Sequence, residues 1–254
     1  MRIIVSPTKK MKIDDSLETE LTTPVFLKKT EQLLDYLQSL TYDQLKTLFQ
    51  CNDKIAKENY ERYENMDIHN AYSIALLSYD GIAFQYMAPH IFTKSQLEYI
   101  RSHLRIISAF YGVLKPFDKI TPYRLEMQAK LNAPFSKTLY DFWKEDLYEG
   151  IIDDSQIVVN LASNEYSKAI RPYLKDSDLW VDVVFGELKG NKVVEKGVYV
   201  KMARGEMVRF MAENNVKNPE EMKRFNGLGY HYNDELSTKT KYVFIKGEEH
   251  EKSN

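Results

Sequence analysis

A chain of 254 residues is long enough for a large hydrophobic core, and 43% hydrophobic with 28% charged residues is the balance of a folded protein, which excludes wholesale disorder. The formal charge of −2 argues against a uniformly basic nucleic-acid binder and requires any anion site to be a local patch. With Cys51 as the single cysteine, an intramolecular disulfide and a Cys-rich zinc or iron–sulfur centre are excluded.

The opening MRIIVSPTKK holds too short an apolar run for a secretory leader, and no stretch approaches the roughly 18 apolar residues of a membrane span. A cytoplasmic protein with no membrane partner is therefore expected. No Gly/Ser linker, repeat or low-complexity block divides the chain, so residues 1–246 are expected to form one compact domain and 247–254 a frayed polar tail.

In chain order, Arg2 to Val5 reads as a short buried strand that ends at Ser6-Pro7. Val25 to Leu40 and Thr41 to Phe49 read as helices, the second opened by a capping box of Thr41 and Gln44. Helical spacing continues through His69 to Tyr79, and again after Thr93, where Thr93 and Gln96 form a second capping box. Ile106 to Phe110 predicts a strand, the span from Leu139 to Leu147 a helix, and Gln156 to Leu161 a buried strand. The next helix runs from Asn164 until Pro172 stops it.

From Leu179 the pattern becomes β: Leu179 to Leu188 and Lys192 to Glu195 make a hairpin about Gly190-Asn191, and Gly197 to Lys201 adds a strand. Glu206 to Asn214 predicts a helix, Asn218-Pro219-Glu220-Glu221 another helix start, and Tyr242 to Lys246 a last strand. The mixture predicts an α+β fold, a single compact domain with a mixed sheet flanked by helices.

Three constellations could carry chemistry. Ser6 to Lys12 closes the first strand, and the first twelve residues hold four basic groups, Lys9 and Lys10 among them, without an acid. In SAFYGVLKPFDKITPYRLEM (108–127), Gly112 permits a tight turn after Tyr111, and Pro116 and Pro122 stiffen the connection. Arg124 and Glu126, two residues apart, project to one side of an extended chain, where they either pair across a structural corner or face a ligand. In the segment 198–209, Gly205 at a helix entrance would bare backbone N–H groups to an anion, with Lys201, Arg204 and Arg209 to neutralise it.

Other chemistries find less. His69, His90, His103, His231 and His250 form no HExxH motif and no i, i+4 pair, and there is no G-x-S-x-G elbow. Neither a metal nor a cofactor is expected, and no reaction is assigned from sequence.

The motifs resemble, over nearly the full length, those of the YaaA-like peroxide-stress protein family. Ser6-Pro7-Thr8-Lys9 is similar to its S-P-[AT]-K, Leu104 to Met127 to its LSGLYGLLRP followed by PYRLEM, Asn160 to Lys168 to its NLAS-x-EY, and Lys201 to Arg209 to its K-x-ARG-x-MAR. The resemblance implies a cytosolic bacterial protein that limits free iron during peroxide stress, with a novel α+β fold, a positively charged DNA-binding cleft and a helix-hairpin-helix element. It puts Lys9, Arg124, Glu126, Lys168, Lys201, Arg204 and Arg209 at family positions, expected around one cleft. One departure stands out: where many members have a G-D-V-Y-x-G-L hairpin, Asp80 to Met87 lacks the second glycine. Two partners follow as alternatives, duplex or distorted DNA held by phosphate contacts, or a phosphate-bearing small molecule or nucleic acid acted on with Glu126 or Glu187 as general base.

Overall fold

The N-terminal apolar run becomes β1 (Arg2–Val5), whose Ile3, Ile4 and Val5 are buried because neighbours pair with it on both edges. The computed structural model that places it describes residues 1–190 and 192–247. All of the expected frayed tail except Gly247 lies outside the described residues, as does Asn191 of the expected hairpin turn.

Three helices follow: α1 (Leu27–Ser39), α2 (Tyr42–Phe49) and α3 (Asp53–Glu64), the last unread in the sequence. The capping box at α2 forms as expected, Thr41 N–H donating to Gln44 Oε1 at 2.8 Å and Gln44 N–H to Thr41 Oγ1 at 3.4 Å. Asn52 caps α3 through Ile55 N–H at 3.0 Å.

The helical expectation for His69 to Tyr79 is overturned: the span holds β2 (Ser73–Ile74) and one turn of helix, α4 (Ala75–Ser78). Every residue from Ser73 to Tyr79 is buried, so no polar face exists to mark a period, and Ala75 and Leu76 donate their N–H groups to the carbonyls of Asp118 and Pro116. The segment 80–87 is the turn Asp80-Gly81 followed by the short helix α5 (Ile82–Met87).

Next come α6 (Lys94–His103), with the expected Thr93 capping box, and β3 (Leu104–Ser108), two residues ahead of its predicted bounds. Ala109 to Tyr111 is instead the turn into β4 (Gly112–Leu114), closed by Ser108 Oγ accepting from the N–H groups of Phe110 and Tyr111. Gly112 takes φ +77°, and Trp143 packs against its bare Cα. Then follow β5 (Lys119–Ile120), α7 (Leu139–Trp143) and α8 (Asp146–Ile151). The single helix predicted over 139–147 is broken at Lys144, which adopts φ +48°.

The second half contains β6 (Ile157–Asn160), α9 (Asn164–Ser167), β7 (Leu179–Lys189), β8 (Lys192–Val194), α10 (Gly197–Glu213), β9 (Tyr230–Tyr232) and β10 (Lys241–Lys246). The helix expected to reach Pro172 stops at Ser167, and Arg171–Tyr173 forms a separate 3₁₀ turn. The strand expected at Gly197 to Lys201 is instead the start of α10. Its buried residues Val200, Ala203, Met207 and Met211 recur at helical spacing from the first turn, and that face overrides the β propensity of Val198-Tyr199-Val200. Asn218 opens a 3₁₀ helix, Pro219–Arg224, with the capping pattern expected there.

The main sheet has the order β4-β3-β1-β6-β7-β10-β9, with β8 hydrogen-bonded to the end of β7; β2 and β5 pair separately. Thus the fold has a mixed main sheet flanked by helices, as expected. Its centre is five mutually parallel strands, β3, β1, β6, β7 and β10, while β4 and β9 run antiparallel at the two ends. From β1 the chain steps to β3 on one side, then crosses to β6 on the other. Strand order therefore reverses at β1 and β6, and the loops leaving their carboxyl ends part in opposite directions, the geometry that leaves a crevice in open parallel sheets. Among the described residues no helix is long and apolar enough to cross a membrane.

Candidate anion site at the strand switch point

Above the carboxyl ends of β1 and β6 lies a cavity of about 430 Å³. Four stretches far apart in sequence meet there with α10: residues 5–10 after β1, 80–83 at the start of α5, 124–126, and the loop and first turn after β6.

Each stretch is held by the core. The loop after β1 is stitched to the α4–α5 connection, with Lys12 N–H donating to Ser78 O and Asp80 N–H to Lys10 O. Arg124 and Glu126 owe their direction to an extended chain in which Tyr123, Leu125 and Met127 alternate into the core. Tyr123 is pinned by hydroxyl bonds to Tyr79 at 2.9 Å and Ser108 at 2.6 Å, and the Arg124 carbonyl accepts from Tyr63 Oη at 2.9 Å. The helix α10 reaches the wall because Gly205 lets it lie against α5. A Cβ on Gly205 would come within 2.0 Å of Ala83 O.

Lys9, Lys10, Arg124, Lys201 and Arg204 line the cavity together with the carboxylates Asp80, Glu126 and Glu165. Lys10 is matched by Asp80 at 2.5 Å. Glu126 is ion-paired on both oxygens, with Lys9 Nζ at 2.6 Å and an Arg124 terminal nitrogen at 3.4 Å. The Arg124 and Glu126 side chains are only 11% and 16% exposed, so this pair works in a poorly solvated setting. Arg124 Nε and Arg204 Nε are buried, yet neither has a hydrogen-bond partner among the described residues. Burial pushes the Arg204 guanidinium below its ordinary pKa, with only Glu195 acting the other way. Arg124 and Arg204 both line the cavity, and the planar fork of a guanidinium matches phosphate or carboxylate oxygens.

Glu165 escaped the sequence reading although it lies inside the segment Asn160 to Lys168. It lies in the single turn of α9, and its Oε1 accepts from Gln128 N–H at 3.2 Å. Burial raises its carboxyl above the usual range and the charge of Glu126 adds to the rise; the Gln128 amide, Lys9 and the Met127 amide pull it back. Asp80 was likewise unread as a wall residue. Its nearness to the β1 loop is a product of tertiary folding.

Four predicted site residues do not line the cavity. Lys168 lies over the Tyr140 ring at 4.6 Å, and Arg209 pairs with Glu213 one turn on at 2.8 Å. Glu187 pairs with Lys196 at 2.7 Å near the β7–β8 hairpin. Gly205 is not at a helix entrance: α10 starts eight residues earlier, its backbone N–H groups are spent within the helix, and the residue serves close packing. Among the described residues, no three His, Cys, Asp or Glu side chains gather as metal ligands.

A family model described as peroxide stress protein YaaA matches residues 1–236. A UPF0246 protein of Agathobacter rectalis is 53% identical over 244 residues, covering 96% of this chain and 98% of its own. A UPF0246 protein of Desulfitobacterium hafniense is 52% identical over 246 residues, covering 97% and 98% respectively, and one of Lachnoclostridium phytofermentans is 50% identical over 248, covering 98% and 97%. Matches of this length and identity leave no separate region unaccounted for within 1–236: the chain belongs to the peroxide stress protein YaaA family.

Proposed function

We propose that this protein serves in peroxide stress by holding phosphate groups of DNA in the cavity at the β1/β6 switch point. The observation that carries the reading is that Arg124 and Arg204 line one cavity with Lys9 and Lys201. Lys9 and Lys201 extend the cationic wall toward solvent, since Lys9 is 63% exposed and Lys201 is exposed too. The cavity volume falls in the range of about 300–1,000 Å³ typical of small-ligand sites, which suits one nucleotide unit better than a closed duplex. A distorted or opened strand offers such a unit. The limiting of intracellular free iron would then be an indirect consequence of that binding.

The second reading is an enzyme acting on a phosphate-bearing small molecule or nucleic acid. Glu126 and Glu165 favour it, since a phosphate grip alone needs no carboxylate.

Binding of labelled duplex and four-way-junction DNA across a salt series tests the first reading, beside an Arg124→Ala, Lys201→Ala, Arg204→Ala triple variant. Wild-type affinity should fall steeply with salt, with a slope of about 0.9 per phosphate contact, and the variant should bind more weakly on a shallower slope. No wild-type DNA binding at low salt, with orthophosphate or a mononucleotide still bound, moves the assignment to the small-molecule enzyme.

A further inference from the structure

We propose that Glu126 and Glu165 form a proton-transfer pair that hydrolyses a phosphoester seated on Arg124 and Arg204. The inference rests on the cavity taking phosphate and goes beyond binding. Both carboxylates line the same cavity as the two arginines, and Glu126 is ion-paired to Arg124 itself. That contact puts a carboxylate at the phosphate end of the cavity, so the bond it can serve is the P–O ester bond and not one remote in the ligand.

The two acids differ in a way that assigns their roles. Glu126 faces two cations on its two oxygens. Glu165 faces no cation within pairing distance among the described residues; it is held by a backbone amide and titrates high because of burial and the neighbouring Glu126 charge. Two acids of one cavity in contrasting settings, one bound by two cations and one held by a backbone amide, suit the roles of base and acid. In the step, Glu126 takes a proton from water as the water oxygen forms a bond to phosphorus. The ester P–O bond breaks, and its departing oxygen takes the proton of Glu165. One water is consumed, the products are a phosphate and an alcohol, and the proton returns from Glu126 to Glu165 through solvent. Arg124 and Arg204 hold the phosphoryl oxygens on which charge builds up.

The test compares two esters on the full-length protein: the dinucleotide thymidylyl-(3′→5′)-thymidine, whose alkoxide must be protonated to leave, and thymidine 5′-(p-nitrophenyl phosphate), whose nitrophenolate leaves without a proton. Wild type should cleave both. E165Q should lower the dinucleotide rate by about 10²-fold or more relative to the nitrophenyl ester, while E126Q should lower both alike. The ratio of two substrates is independent of how much of a variant is folded, so partial misfolding does not blur the result. An unchanged ratio in E165Q overturns the assignment. Wild type that binds thymidine 5′-monophosphate by calorimetry but cleaves neither ester also overturns it, leaving the binding proposal standing; wild type that does neither overturns both.

Discussion

Ser6 and Ser163 tie the ends of β1 and β6 together: Ser163 N–H donates to Ser6 Oγ at 2.8 Å, and Ser6 Oγ–H donates to Ser163 Oγ at 3.2 Å. The two serines come from positions 157 residues apart and sit where the strand order reverses. They form the floor on which the cationic wall stands. Ser6→Ala leaves the Ser163 N–H without its acceptor, and the expected loss is about 1 kcal/mol of unfolding free energy in urea titration. Phosphate affinity should drop with it, because the loop carrying Lys9 loses its anchor at the sheet.

Gly205→Ala should be destabilising, opposite in sign to the usual gain of about 1 kcal/mol for replacing glycine inside a helix. The added methyl would meet backbone, Ala83 O at 2.0 Å, so α10 must move off α5 at a cost of about 1–3 kcal/mol. Gly197→Ala is the control. It lies at the first turn of the same helix with nothing within 4 Å of its Cβ position, and should be neutral or slightly stabilising. Equal midpoints for the two variants in urea would contradict the close-packing role.

The pH dependence of stability should carry the mark of Glu165. Its carboxyl titrates above the ordinary glutamate value of 4.5 because folding buries it, so the folded state favours the protonated form. Its contribution is present in full below about that value and is lost as pH rises through the higher folded-state value. In E165Q that loss disappears, so the stability of wild type minus variant should decline with rising pH from the mid-acid range upward. Asp118 is pushed up by burial as well and gives the same trend in both proteins, which is why the difference is the quantity to follow. A difference that stays flat would place Glu165 in better solvated surroundings than the geometry gives.

Local chemistry explains what was legible in the sequence. The Thr41 and Thr93 capping boxes, β1, β6 and the β7–β8 hairpin each depend on residues a few positions apart. The alternation that turns Arg124 and Glu126 to one side was legible for the same reason, and both face the cavity. Where burial is complete on all sides, as from Ser73 to Tyr79, the pattern carries no period to read. Within Asn160 to Lys168 the family resemblance pointed to Lys168 and not to Glu165, although the motif NLAS-x-EY includes the glutamate. Which of the two meets the cavity depends on the single turn α9, which turns Glu165 toward Gln128 and leaves Lys168 over Tyr140. The meeting of β1 with β6 depends on strand order, which no local pattern encodes.

Arg204 should trade stability for binding. Its Nε is buried without a partner among the described residues, and the depressed pKa of the guanidinium reflects the cost of keeping that charge out of water. Arg204→Met keeps the aliphatic bulk and removes the charge, so unfolding free energy should be unchanged or higher than in wild type. Arg124→Met should behave differently. It also removes a partner of the Glu126 carboxylate, which is mostly buried, so the loss of one member of an ion pair should lower stability. Both variants should lose at least about tenfold in affinity for orthophosphate or thymidine 5′-monophosphate, since each takes one charged donor from the anion. Calorimetric titration and urea unfolding on the same two proteins separate these effects. Loss of stability in Arg204→Met with affinity intact would mean that the guanidinium serves the fold, and that the anion is held by other residues.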